Sequence, residues 1–409
     1  MSNKNSFRER MEHYVKELVD PMSYYDWINQ NTTLAGVPFT CDRYPFQKEI
    51  INDMSLELHC IKPSQIGLAL DLNTPIPTPL GWKKMGEIRV GDTIYSAEGV
   101  ETKVTYLSPI YTDHKCYEIE FCDGTKVVAD ENHRWFVNSQ YTFGLDGVNV
   151  GSGSKKPEGY AKEGVIKTKT IFENYKRNGR NIFNIKNTKP LVAESKDLLV
   201  DPYVLGLWLG NGNAYTGYIT ILNTDVPDVL NNIDGNKYDV VLKPDGVSNT
   251  YLVLYDKNKK TLISDLGKLG IKKGTKTVPA EYLRSSFNQR LRLIQGLMDT
   301  DGTIEKNGNC IFFNTNDDIL KAFCELLASM GFKYSLTKRD CAPSQSKNGK
   351  VIKPKKLLGL VRFTSYSDIL VSSLERKKSR LKDVNSDRTK KAKRRKIVNV
   401  VEVPPRPVR

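Results

Sequence analysis

The sequence predicts a multidomain chain in which an all-β unit is interrupted by an α+β body of two repeated halves, preceded by a fragment of helices and one strand. Three observations carry this. Short alternating apolar segments run from Ala69 to about Ser139, a helical apolar pattern ending in x-Gly occurs once in each half of 203–302, and a further alternating stretch, IVNVVEV, returns after the repeat. The length of 409 residues exceeds what one core accommodates.

The N-terminal fragment, 1–68, opens on a helical pattern (Phe7, Met11, Tyr14, Val15, Leu18) and continues through a second helix containing Ile50, Ile51 and Met54. The apolar run LELHCI then reads as a strand. It leads into Lys62-Pro63-Ser64-Gln65-Ile66-Gly67-Leu68, which has the make-up of a phosphate-gripping loop. The hydroxyl residue and helix that such a loop requires do not follow. Instead the chain turns at Ala69 into a Pro- and Thr-rich extended stretch.

Residues 69–145 hold the segments GEIRVGDTIYS, VETKVTYLSPIY and CYEIEFCDGTKVVADENHRWFV, separated by Gly91-Asp92, Glu98-Gly99 and Asp123-Gly124, the turn chemistry of a small β unit. Residues 146–196 are rich in Gly, Lys, Asn and Ser and are predicted to form a basic linker or DNA-recognition region. Helices and strands mix over 197–385. Residues 386–409 resume the β pattern, as though the mixed body were inserted into the β unit.

A formal charge of +15 and a pI near 9.2 favour a polyanionic partner, because neutralised phosphates release counterions. Seven cysteines without a C-x-x-C pair and only four histidines argue against a zinc site or a disulfide framework and for a reducing compartment. The sequence shows neither a signal peptide nor an apolar run of about 18 residues, so membrane insertion is not expected.

The repeat carries chemistry. YVLGLWLGNG (203–212) and LIQGLMDTDG (293–302) place Gly206 and Gly210, and Gly296 and Thr300, four apart on one helix face, where small residues permit two helices to approach closely. Packed together, they would bring Asn211 and Asp301 to one end. Paired acids there could hold Mg²⁺ at a phosphodiester and activate water.

DPYVLGLWLGNG, Lys276-x-Val278-Pro279 and RLRLIQGLMDTDG, in this order, resemble the LAGLIDADG homing endonucleases found inside inteins. The resemblance implies cleavage of double-stranded DNA, with flanking sheets in the major groove and one motif acid from each half on the metal. It assigns Asp301 as the acid of the second half and Lys276 as an active-site lysine. Asn211 stands at the first acid's position; an amide oxygen can ligate Mg²⁺ but carries no charge, so metal affinity and two-strand cleavage are expected to suffer.

The β unit contains ALDLNTPIPTPLGW, MGEIRVGD and DGTKVVADENHRWFV in an order and spacing that resemble the first half of an intein splicing domain, the horseshoe-shaped Hint fold. Ala69 offers no nucleophile. With Trp135 two residues after His133, this resembles the class 3 inteins, in which a cysteine near the C-terminal end attacks the upstream bond directly. The resemblance makes Leu68–Ala69 the scissile bond. His133 would polarise or protonate the scissile amide, Asp130 would orient the bond or the histidine, and Trp135 would pack beside the nucleophile. None of the seven cysteines follows IVNVVEVPPRPVR, so splicing is expected to need a further C-terminal intein and extein segment, in cis or in trans. Splicing itself needs no cofactor.

On that reading 1–68 is host sequence, and YPFQKEIINDMSLELHCIKPSQIGL resembles the start of the P-loop ATPase domain of a tailed-phage terminase large subunit. Lys62, Ser64, Gln65 and Gly67 would then bind nucleotide, ATP serving only the spliced host. The implied setting is the cytoplasm of a phage-infected bacterium, and the implied DNA target is the uninterrupted host gene. A stand-alone site-specific endonuclease with a non-splicing Hint scaffold is the alternative; it leaves the two flanking β segments unexplained. An ATP-driven motor fails for want of an Asp-Glu metal-binding strand after the loop.

Overall fold

The computed structural model describes residues 69–144, 160–340, 356–383 and 391–409, together with the backbone of four two-residue strand segments at 33–34, 37–38, 344–345 and 351–352. Lys62, Ser64, Gln65, Gly67 and Leu68 lie outside the described residues.

The β unit begins with two hairpins, β1 (Pro75–Thr78) with β2 (Gly81–Lys84) and β3 (Thr93–Tyr95) with β4 (Glu101–Lys103). Next come β5 (Cys116–Phe121) and β6 (Lys126–Asp130), joined through Cys122-Asp123-Gly124. Gly124 adopts φ +83, the left-handed value that a three-residue hairpin turn needs, and Asp123 Oδ1 accepts from the Thr125 amide. The long strand β7 (Arg134–Gly144) pairs with β8 (Tyr160–Lys167), which runs into helix α1 (Thr168–Asn174) and then β9 (Asn184–Lys186).

From the far end of the chain, β17 (Arg394–Val403) inserts between β9 and β5, giving the six-stranded order β8-β7-β9-β17-β5-β6. Residues 160–186 are thus strands and a helix of the β unit, which differs from the linker expected over 146–196. The reason is that Ile166, Ile171, Ile182 and Phe183 are all at most 8% exposed and share one core with Tyr117, Ile119, Val137 and Ile397. The Gly- and Lys-rich composition around them masks four strong anchors.

The inserted body is built on α2 (Pro202–Asn211) and α3 (Phe287–Asp301). Asp201 caps α2 by accepting from the Tyr203 and Val204 amides ahead of Pro202, and Ser286 with Gln289 forms a capping box on α3. A Cβ added to Gly206 would lie 2.5 Å from the Leu293 carbonyl, and one on Gly210 would lie 2.0 Å from Thr300 Oγ1. The helices therefore touch backbone to backbone along the faces the sequence predicts.

Each helix feeds a sheet. α2 leads to β10 (Ile219–Leu222), β11 (Tyr238–Pro244) and β12 (Asn249–Asp256), ordered β10-β12-β11. α3 leads to β13 (Gly302–Ile304) and β14 (Asn309–Asn314), then helix α4 (Asp317–Ser329), β15 (Tyr334–Arg339) and β16 (Leu358–Thr364), ordered β13-β14-β16-β15. A short helix, α5 (Glu375–Lys378), closes the body. Arg376 forks onto Asp225 at 2.7 and 2.6 Å, tying the second half to the first.

The two parts are fastened along 187–192. Lys189 and Val192 donate to Ala97 and Gly99 of the β unit, while Leu191 donates to Ser329 of the inserted body. Arg290, 1% exposed, binds the Ser285, Ser329 and Leu191 carbonyls from beneath.

Candidate functional sites

The first site surrounds Ala69. This residue is 4% exposed and packs with Cys116, Val128 and Val408. Its carbonyl accepts from the Asp130 amide at 2.9 Å, and Asp71 donates to Val128 at 3.0 Å, so 69–71 run along the free edge of β6. On the other side Leu70 and Arg409 exchange both backbone hydrogen bonds, at 2.9 and 3.0 Å, and Leu72 donates to Pro407. An antiparallel register in which Leu70 faces Arg409 puts the next position along that strand opposite Ala69, in the closer, non-hydrogen-bonded kind of pair.

His133 lies in the turn between β6 and β7. It is 6% exposed, its amide donates to the Asp130 carbonyl at 3.3 Å, and its carbonyl accepts from the Thr168 amide at 2.8 Å. Its Nδ1 is buried with no hydrogen-bond partner among the described residues. Burial pulls the imidazole down to about 3, so it is neutral at pH 7. Such a ring can donate one N–H and accept at the other nitrogen, but it is a poor store of a free proton. Polarisation of an amide fits it better than outright protonation.

The Trp135 ring packs against the His133 ring, tilted by 56° with centroids 4.6 Å apart, and donates Nε1–H to Thr168 Oγ1 at 2.9 Å. Thr168 is fully buried and also donates its hydroxyl to the His133 carbonyl. Asp130 reaches His133 only through backbone. Its carboxylate accepts from the Asn132 amide and pairs with His114 Nδ1 at 2.8 Å, and the His114 ring stacks on Tyr111, whose backbone bridges Val408. Asp130 thus braces the strand pairing around Ala69. Cys116 is fully buried beside Ala69, and burial pushes its thiol up, the opposite of an activated thiolate.

The second site lies where α2 and α3 end. Asp301 is half-buried, and burial raises its carboxyl against the opposing pull of Lys276; Asn314 donates to its Oδ2 at 2.8 Å. Asn211 is exposed and donates Nδ2–H to the Thr220 carbonyl at 3.1 Å. Lys276 donates to the Leu209 and Gly210 carbonyls at 3.0 and 2.9 Å, capping the C-terminus of α2. Burial draws it down to about 8. Lys377 does the same for α3: it is 4% exposed, donates to Met298, Asp299 and Gly302 carbonyls at 2.7 to 2.9 Å, and is also lowered by burial to about 8.

Asp299, buried two residues before Asp301 on α3 and so on a different side of the helix, accepts from Tyr203 of α2 and from Ser372 and Ser373. It ties the helices together; burial raises its carboxyl. Nothing in the sequence separates Lys377 from its neighbour Lys378 or Thr168 from the polar residues around it. Asp299 is visible in the motif, yet its inward direction is not.

The geometry defines a β domain with a strand junction at Ala69, carrying an inserted two-fold αβ body of the LAGLIDADG type. Residues 288–394 match the family model described as a LAGLIDADG-like domain. The chain is 31% identical over 279 residues to the replicative DNA helicase DnaB of Mycobacterium intracellulare, covering 67% of this chain and 44% of that protein. It is 46% identical over 70 residues to DnaB of Mycobacterium leprae (strain TN), covering 17% and 12%. Less than half the length of either relative is spanned.

Among solved structures it is similar to the MchDnaB-1 intein, at 44% identity, with 18% of this chain and 54% of that one covered and a TM-score of 0.17. It is also similar to the homing endonuclease I-DmoI in complex with DNA and Mn, at 14% identity, with 41% and 89% covered and a TM-score of 0.26. The chain therefore combines similarity to DnaB proteins with a stretch that matches a LAGLIDADG-like domain. Both of these curated relatives are named as replicative helicases, not as packaging motors. No helix among the described residues is long and apolar enough to cross a membrane.

Proposed function

We propose that this chain is an intein-bearing precursor whose splicing centre is the bond preceding Ala69, and whose inserted domain binds and cuts double-stranded DNA. The observation that carries the splicing reading is the backbone exchange between Leu70 and Arg409, which sets the next register position opposite Ala69. A class 3 nucleophile belongs at that place. A cysteine there would attack the Leu68 carbonyl carbon; the new S–C bond forms, the C–N bond to Ala69 breaks, and the Ala69 nitrogen takes up the thiol's proton. Neutral His133 would polarise the amide and pass the proton through its two nitrogens, Trp135 and Thr168 would hold its ring, and Asp130 N–H would hold the Ala69 carbonyl.

In the inserted domain the hard oxygens of Asp301 and Asn211 suit Mg²⁺, which typically takes one or two carboxylates and leaves room for substrate phosphate. Asp301 Oδ1 carries no hydrogen bond among the described residues and is free for such a bond. When bound, the ion would polarise the scissile phosphate and lower the pKa of its water. Lys276 and Lys377 hold the helix ends rigid and supply positive charge beside the phosphate. The partner is the uninterrupted host gene as double-stranded DNA.

The host reading of 1–68 remains the start of a phage terminase ATPase, with Lys62, Ser64, Gln65 and Gly67 in the loop and the cytoplasm of an infected bacterium as the setting. A helicase host is the second reading, favoured by the DnaB relatives. The test of the proposal is ligation: the purified chain mixed with a Cys-led segment ending in His-Asn and followed by Thr or Ser should yield host sequence joined across the junction. No ligated product, with both pieces folded and associated, would remove the splicing reading.

A further inference from the structure

A concavity of about 430 Å³ lies on the β unit where it meets the inserted body. Its wall carries five cations, Arg180, Lys333, Lys391, Arg394 and Lys396, and no acidic residue among the described residues. Lys333 spends its ammonium on the Lys391 and Arg394 carbonyls, at 3.3 and 3.2 Å. The side chains of the other four have no carboxylate partner among the described residues, and Asp123, next to Cys122 in the chain, is paired with Arg395 at 2.9 Å. Like charges gathered this closely around one hollow repel one another, and an anion in the hollow relieves that repulsion.

Cys122 belongs to the same wall. Its sulfur accepts from the Lys396 amide at 3.3 Å and lies 3.9 Å from Lys333 Nζ. It is the one exposed cysteine among those described.

We propose that this concavity is a binding site for a phosphate-bearing ligand. The guanidinium groups of Arg180 and Arg394 and the ammonium groups of Lys391 and Lys396 match the bidentate and point-charge recognition of phosphate oxygens. The site is separate from Asp301 and from the Ala69 junction. It sits on β17, whose first residues, Arg394 and Lys396, line it, and whose strand leads on to Val408 and Arg409 beside Leu70. An anion joining Arg394 and Lys396 to Arg180 therefore clamps β17 against the β unit at one end, while the other end fixes the register at the junction.

The test uses the reactivity of Cys122 in the full chain, read by peptide mass spectrometry after brief exposure to iodoacetamide. Tripolyphosphate and a short DNA duplex are compared with potassium chloride at matched ionic strength. The site predicts saturable, several-fold protection of Cys122 by at least one of the two. It also predicts that the protection weakens steeply with added salt and is lost in an Arg180→Glu, Lys391→Glu variant that keeps the parent's circular dichroism. Protection by tripolyphosphate alone identifies free phosphate as the source, and protection by duplex alone identifies a nucleic-acid backbone. Unchanged Cys122 reactivity with both ligands, or equal protection in the folded variant, overturns the proposal.

Discussion

Leu70 and Arg409, far apart in sequence, exchange both of their backbone hydrogen bonds, at 2.9 and 3.0 Å. Each is thereby fixed in register with the other, and Ala69 is fixed one step beyond. The strand pairing of the β unit closes at the place where chemistry is proposed.

Thr168 is expected to be a positioning residue for that chemistry. It holds both the His133 carbonyl and the Trp135 indole. Thr168→Val removes the buried hydroxyl that joins the half-buried indole N–H to the His133 carbonyl, at a cost of about 1–3 kcal/mol. Thermal unfolding should record the loss, and cleavage before Ala69 should slow, whereas Thr168→Ser should restore both.

His133 makes stability depend on pH. Its folded-state value, about 3, lies below the ordinary 6.5, so between these values the unfolded chain binds more protons than the folded one. The stabilising contribution is complete above pH 6.5 and is lost as the pH falls through this window. Urea midpoints measured between pH 7 and 4 should fall less in His133→Ala than in the parent.

Asn211 is predicted to limit the nuclease. Asn211→Asp supplies the missing charge and should tighten metal binding and raise double-strand cleavage, while Asp301→Asn should lower cleavage by roughly 100-fold, the worth of a few kcal/mol of metal-borne charge stabilisation. Plasmid linearisation with the cognate site, followed against Mg²⁺ concentration, measures both. Equal cleavage by the parent and Asn211→Asp would show that the amide suffices.

The helix seam tolerates no side chain. Gly206→Ala would set a methyl group 2.5 Å from the Leu293 carbonyl and 2.9 Å from the Gly296 Cα. Neither is a flexible side-chain end, so overpacking should cost about 1–3 kcal/mol and move the Asn211 and Asp301 ends apart. Calorimetry reads the first effect and DNA cleavage the second.

The sequence made some of this legible and hid the rest for physical reasons. Gly206, Gly210, Gly296 and Thr300 reveal the helix seam because only small residues allow that approach, and the spacing repeats. The return of β pattern after the repeat announces an interrupted β unit because period-two alternation survives insertion. The strands of 160–186 stay hidden because Ile166, Ile171 and Phe183 are sparse anchors in polar sequence. Lys377 stays hidden because burial of a lysine depends on carbonyls seventy-odd residues away. The partner of Asp130 is His114 rather than His133, a choice set by strand register and not by nearness in sequence.

The most direct test of the junction is to place a cysteine immediately after Arg409 and read the products by intact-mass spectrometry with hydroxylamine as the trap. The register between Leu70 and Arg409 predicts release of residues 1–68 as the hydroxamate, with the remaining chain beginning at Ala69, and abolition of that release in His133→Ala. A folded chain that stays whole, or that breaks at any other bond, would contradict the account.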